Sequence, residues 1–193
     1  MLSTTEAMNA LAEGLNAYFE AHNYTWKSSE SLTAFEPKKP TIYRFCVPPS
    51  DLNEVQMPVN CPAILLALTK WSKVSDRVVQ LSISANCVVV DAAEIDKEKA
   101  YVKPDGAFEM GTGDEYSQNA ANLYRACLLL AECVVDAVSA MSHDADEYMS
   151  IDVSEFEPPH ALVPDYPYCA CAVPMTVNII NNGAHKDNYD NLL

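Results

Sequence analysis

Residues 81–90 read Leu81-Ser82-Ile83-Ser84-Ala85-Asn86-Cys87-Val88-Val89-Val90, and with Arg77 to Gln80 before them they form the longest clean alternation in the chain. Val79, Leu81, Ile83, Ala85, Cys87 and Val89 fall on one side, and Gln80, Ser82, Ser84 and Asn86 on the other. A period of two is that of a strand with one buried sheet face. The polar face of this strand is left for solvent or for a partner.

The next periodic stretch is helical. From Gln118 to Met141 the polar residues Gln118, Asn122, Arg125, Glu132, Asp136 and Ser139 recur at helical steps, with Leu129 interrupting the stripe. Almost everything else there is apolar or small, so the helix must bury most of its circumference. Burial of Tyr124, Leu123, Leu128, Leu130, Val134, Val135, Val138 and Met141 at about 1.5–3 kcal/mol each makes it the largest contributor to the core.

Working outward, Ser3 and Glu6 form a capping box before Met8, Leu11, Leu15, Tyr18, Phe19 and His22, which predicts an amphipathic N-terminal helix ending near Asn23. Tyr24 to Lys39 reads as a loop, and Thr41 to Val47 as a strand stopped by Pro48-Pro49. Ala63 to Trp71 is a well-covered strand that turns at Trp71 to Asp76 into the alternating strand, giving an antiparallel hairpin whose second arm overhangs. Cys169 to Ile180 alternates as a last strand, which Pro174 places at a sheet edge on at least one side.

These elements define an α+β fold: a mainly antiparallel sheet with an N-terminal helix and a long buried central helix packed on one face. With 193 residues the expectation is one domain over 1–180, interrupted by a long acidic loop at about 91–117 and followed by a polar tail, 181–193. The loop carries Asp91, Glu94, Asp96 and Glu98 among its acids, and the tail ends in Tyr189, Leu192 and Leu193. Ser142 to Glu157, with no Lys or Arg, reads as a second acidic surface.

The balance of 27 Asp and Glu against 12 Lys and Arg, a net charge of -15, opposes tight binding of a phosphate backbone. The first residues lack a signal-peptide pattern and no apolar run reaches a membrane span, which predicts a soluble protein made in the cytoplasm. Seven cysteines, several among apolar residues, read as free core thiols.

Candidate chemistry is sparse. Cys169 and Cys171 with His160 would suit zinc but lack a second ligand pair, and share a strand face. Asp144, Asp146, Ser150, Asp152 and Glu155 match calcium-loop spacing, yet Met149 stands where the turn needs glycine. His143-Asp144 hints at a metal-dependent hydrolase, with no supporting carboxylates beside the other histidines. There is neither a nucleophile elbow nor a phosphate loop among only 5 glycines. The expectation is a non-enzyme with no cofactor and no metal site.

The order of the N-terminal helix ending in Tyr18-Phe19, Cys61-Pro62-Ala63-Ile64-Leu65-Leu66-Ala67-Leu68, the polar-alternating strand Leu81 to Val90, the helix Leu123 to Val138 and the strand Ala172 to Ile180 resembles the tail terminator proteins of long-tailed bacteriophages. The resemblance implies a structural virion protein at the head-proximal end of the tail, assembled in the host cytoplasm. It implies a homo-oligomeric ring, a hexamer, that caps the tail tube and meets a head-completion or neck protein while DNA passes without tight binding. Subunit or partner contacts are then expected at Gln80, Ser82, Ser84, Asn86, Asp91, Glu94, Asp96, Glu98, Tyr189, Leu192 and Leu193. A head-tail connector or minor tail protein of the same virion is the alternative, and a metal-dependent enzyme a more distant one.

Overall fold

The structure, a computed structural model, describes residues 3–22, 24–27, 37–52, 60–90, 114–144, 149–153 and 168–180. Helix α1 spans Thr4–His22. Its start is fixed by the capping box: the Ser3 main-chain N–H donates to Glu6 Oε2 at 2.6 Å, and the Glu6 N–H donates to Ser3 Oγ at 3.2 Å. Ala7, Met8, Leu11, Ala12, Leu15 and Phe19 form its buried stripe.

Tyr24 to Lys39 holds more than a loop. Strands β1 (Trp26–Lys27) and β2 (Pro37–Lys38) pair antiparallel, because Trp26 anchors the segment in the core. Its ring meets Phe19 edge-on, centroids 5.8 Å apart, and its Nε1 donates to the Ala126 carbonyl at 3.0 Å. The aromatic requirement to satisfy an indole N–H while burying its body explains the docking.

Strand β3 (Thr41–Arg44) is shorter than its alternation predicts. Phe45 adopts φ 68°, a left-handed conformation that a bulky residue seldom takes and that a continuing strand cannot use. Its N–H donates to the Leu66 carbonyl at 2.8 Å, and the Cys46 N–H turns back to the Arg44 carbonyl at 2.8 Å. The chain therefore leaves the sheet at Phe45 rather than at Val47.

Strands β4 (Ala63–Lys73) and β5 (Val78–Val90) form the expected antiparallel hairpin. β5 is the longer arm, as expected, but does not project beyond the sheet: it pairs over its whole length with β6, Tyr168–Ile180, which is equally long. A four-residue strand, βE (Met149–Asp152), then adds to Thr176–Ile179 of β6. βE overturns the reading of 142–157 as acidic surface alone, since Ile151 is buried opposite Val177. It also draws out Ser150 and Asp152 in extended conformation, which a calcium loop would have to coil. Pro174 lies beyond the reach of βE, where β6 has a described strand on one side only.

The sheet order is β3-β4-β5-β6-βE, antiparallel throughout except for the parallel pair β3–β4. Helix α2 (Asp114–Asp144) covers β5, β6 and βE, while α1 packs on α2 and β3. Leu123, Leu130, Val134 and Val138 are buried, Tyr124, Leu128, Val135 and Met141 of the expected set are only half-buried because they flank the buried stripe, and Arg125, Leu129, Glu132, Asp136 and Ser139 are exposed. Leu129 thus belongs to the exposed stripe it interrupts. Both helices share one core with Leu81, Ile83, Ala85, Cys87, Val89, Val173, Met175, Val177 and Ile179, all from one sheet face. No helix among the described residues is long and apolar enough to cross a membrane.

Candidate interaction surface

With both helices on one face, the other face of the sheet carries the polar residues of β5. Registration across the strands sorts them into rows. Ser72, Gln80, Asn178 and Ser150 form one row, and Lys70, Ser82, Thr176 and Asp152 the next. Ala67, Ser84 and Pro174 follow, then Leu65, Asn86 and Ala172. Gln80, Ser82, Ser84 and Asn86 therefore lie on one sheet face, as their alternation predicts, each half-buried.

Hydrogen bonds lock part of this face. Gln80 Nε2 donates to Asn178 Oδ1 at 3.1 Å, and Asn178 Nδ2 donates to Ser150 Oγ at 3.4 Å, so three strands are stitched by one chain of side chains. Asn86 Nδ2 donates to the Leu65 carbonyl at 3.4 Å. Such amides hold flat orientations across the pleat and present a fixed pattern of donors and acceptors.

One end of the face is closed. Val88 and Val90 pack with Cys61 and Tyr168 in a small second cluster, and Tyr43 is buried nearby with its hydroxyl donating to Asp51 Oδ2 at 3.1 Å. The other end is open: among the described residues no helix or strand lies over the Gln80, Ser82 and Ser84 rows. The charges of these rows sit at their rims, with Lys70 on β4 and Asp152 on βE. Between them the surface is neutral, polar and built from short side chains, which suits a flat protein contact with little side-chain entropy to lose.

The remaining predicted contacts, Asp91, Glu94, Asp96, Glu98, Tyr189, Leu192 and Leu193, lie outside the described residues. Sequence reading missed Lys70, Ser72, Ser150, Asp152, Thr176 and Asn178 as members of the same face. Thr176 and Asn178 carried the signal in the alternation of β6; Ser150 and Asp152 were hidden in an acidic run.

Cys87, Cys127, Cys133 and Cys171 belong to the core on the opposite side of the sheet. Cys87 and Cys171 are direct neighbours on β5 and β6, and Cys127 of α2 lies over them with Sγ 3.8 Å from the Cys87 carbonyl. Hydrogen bonding to Cys171, and burial, raise the Cys87 thiol well above its ordinary range. Bonding to Cys169 and Cys171, then burial, does the same for Cys127. Cys61 is pushed to about 12 and Cys133 to about 11, by burial first in both cases. These are packed protonated groups, the state in which thiols are poor nucleophiles. None of the seven cysteines is in a disulfide, and only Cys46 is exposed.

Among the described residues no group of three or more His, Cys, Asp or Glu is placed to hold a metal ion. His22 stacks on Tyr18, ring centroids 4.1 Å apart, with its Nδ1 2.9 Å from the Tyr18 carbonyl, a local helix-end contact. No family model matches the chain, and no curated protein matches it. The fold defines an α+β protein with one helix-covered and one partly open sheet face.

Proposed function

We propose that this chain is a structural virion protein, a tail terminator that assembles as a hexameric ring on the head-proximal end of a phage tail tube. The observation that carries the reading is the partly open face of β5, neutral and polar, in a sheet whose other face is filled by both helices. Supporting it is the element order, helix, hydrophobic strand, polar-alternating strand, central helix and closing strand, shared with that family. The ring contacts the tail-tube protein on one side and a head-completion or neck protein on the other, in the virion.

Its net charge of -15 repels DNA, so the genome passes the lumen without adhering. The chain works by binding and carries no catalytic step.

The test is direct. Purified protein examined by mass photometry and electron microscopy is expected to form rings and to bind tail-tube protein, and deletion of its gene is expected to abolish control of tail length. A monomer that binds no tail-tube protein overturns the proposal. Binding to a neck protein alone would instead assign it to the head-tail connectors.

A further inference from the structure

Two free edges of the sheet match each other. On one side β3 covers β4 only from Ala63 to Leu66, so among the described residues the outer edge of β4 from Ala67 to Lys73 has no strand beside it. On the other side βE is the last described strand. Unpaired strand edges expose main-chain donors and acceptors that pair with any suitable strand presented to them.

The two edges stand at the same height. Through the registers of β5 and β6, Met149 lies level with Lys73, Ser150 with Ser72, Ile151 with Trp71 and Asp152 with Lys70. βE runs antiparallel to β6, β6 to β5 and β5 to β4, so βE and β4 point in opposite directions. A second copy placed alongside in the same orientation would bring βE of one molecule antiparallel to the β4 edge of the next.

Their charges also match. The segment Ala67 to Arg77 contains Lys70, Lys73 and Arg77 against Asp76 alone, a basic island in a chain of net charge -15. Lys73 is paired with Asp76 at 2.7 Å, whereas Lys70 and Arg77 have no carboxylate partner among the described residues. Ser142 to Glu157, which contains βE, has six acids and no Lys or Arg. Within one molecule Lys70 and Asp152 stand about 14 Å apart, three strand spacings, too far to meet.

The edge is not merely blunted. A lysine and the irregularity between Leu68 and Lys70 are devices that discourage indiscriminate pairing. Trp71, 53% exposed, and Val74, 60% exposed, are what a protective edge would avoid and a docking edge would use.

We infer that copies of this chain join head to tail, the βE edge of one extending the sheet at the β4 edge of the next, with Asp152 meeting Lys70. The interface is heterologous, and its two level halves add no climb along the strands from one copy to the next, as a closed ring requires. The inference deepens the ring reading and rests on it for closure alone.

Charge exchange tests it. Lys70→Glu and Asp152→Lys, both at exposed positions, are each expected to raise the concentration needed for half-assembly about tenfold by mass photometry. Combining them in one chain is expected to restore assembly. Trp71 emission is expected to shift to shorter wavelength on assembly of the wild type. Single exchanges that assemble like wild type, or a double exchange without rescue, would overturn the edge pairing while leaving a ring made by another surface intact. A wild-type monomer, in contrast, would remove the ring itself.

Discussion

Gly14 of α1 faces Met141 of α2 so closely that a Cβ at position 14 would fall on the Met141 thioether. The two helices meet at a point where only the smallest residue fits. Alanine would improve helix propensity by about 1 kcal/mol, yet Met141 must first leave its place. Gly14→Ala is therefore expected to destabilise the protein by about 1 kcal/mol. In a Met141→Ala background the same change is expected to stabilise it by about as much. Four denaturation curves complete the cycle, and equal effects in both backgrounds would refute the contact.

Trp26 crosses a separation of a hundred residues to reach the Ala126 carbonyl. Removing its ring leaves a cavity beside Phe19 and α2, so Trp26→Ala is expected to cost about 3–5 kcal/mol. Trp26→Phe keeps much of the volume and loses the N–H donor. The Ala126 carbonyl lies within the helical ladder, so that loss is expected to cost about 1 kcal/mol. Urea denaturation of both variants checks the order. Fluorescence separates the two tryptophans, since a Trp71→Phe protein retains only the buried indole and is expected to resist acrylamide quenching.

Much of this fold was legible because its signals are local. Ser3 and Glu6 are three residues apart and bond as their spacing predicts, and the stripe through Arg125, Leu129, Glu132 and Asp136 gave the exposed side of α2 directly. β5 declared both faces by alternation. What escaped depends on distant partners. Four residues of βE inside an acidic run become a strand only because Ile151 finds Val177 across β6. Trp26 looked like a loop residue because its acceptor lies on α2. The parallel pairing of β3 with β4 has no local signature, and neither has the row that sets Lys70 level with Asp152.

The capping box gives a pH prediction. The Ser3 main-chain N–H, and then its hydroxyl, hold the Glu6 carboxyl below its ordinary 4.5. A folded-state value below the unfolded one contributes stability that is fully present above 4.5 and is lost as pH falls through the lowered value. Glu6→Gln is expected to be less stable than wild type at neutral pH. The gap between their melting temperatures is expected to narrow only below pH 4.5, as the wild-type carboxyl protonates. A gap that stays constant down to the acid transition would contradict the ionic capping bond.

Scaffold and surface separate most sharply at Leu130 and Ser84. Leu130 is fully buried where α2 meets the sheet core. Leu130→Ala is expected to cost about 2–5 kcal/mol, and Leu130→Asp to prevent folding, since no partner for a carboxylate lies in that core. Ser84 sits on the opposite sheet face between Ala67 and Pro174, half-buried and facing outward. Ser84→Arg sends a long charged side chain into solvent and is expected to change stability by no more than about 0.5 kcal/mol. If the open face carries the assembly contacts, the same arginine obstructs them. The expected result is a protein with wild-type circular dichroism and melting temperature that no longer binds its tail partner. A folded Leu130→Asp protein, or a Ser84→Arg protein that binds normally, would place the working surface elsewhere.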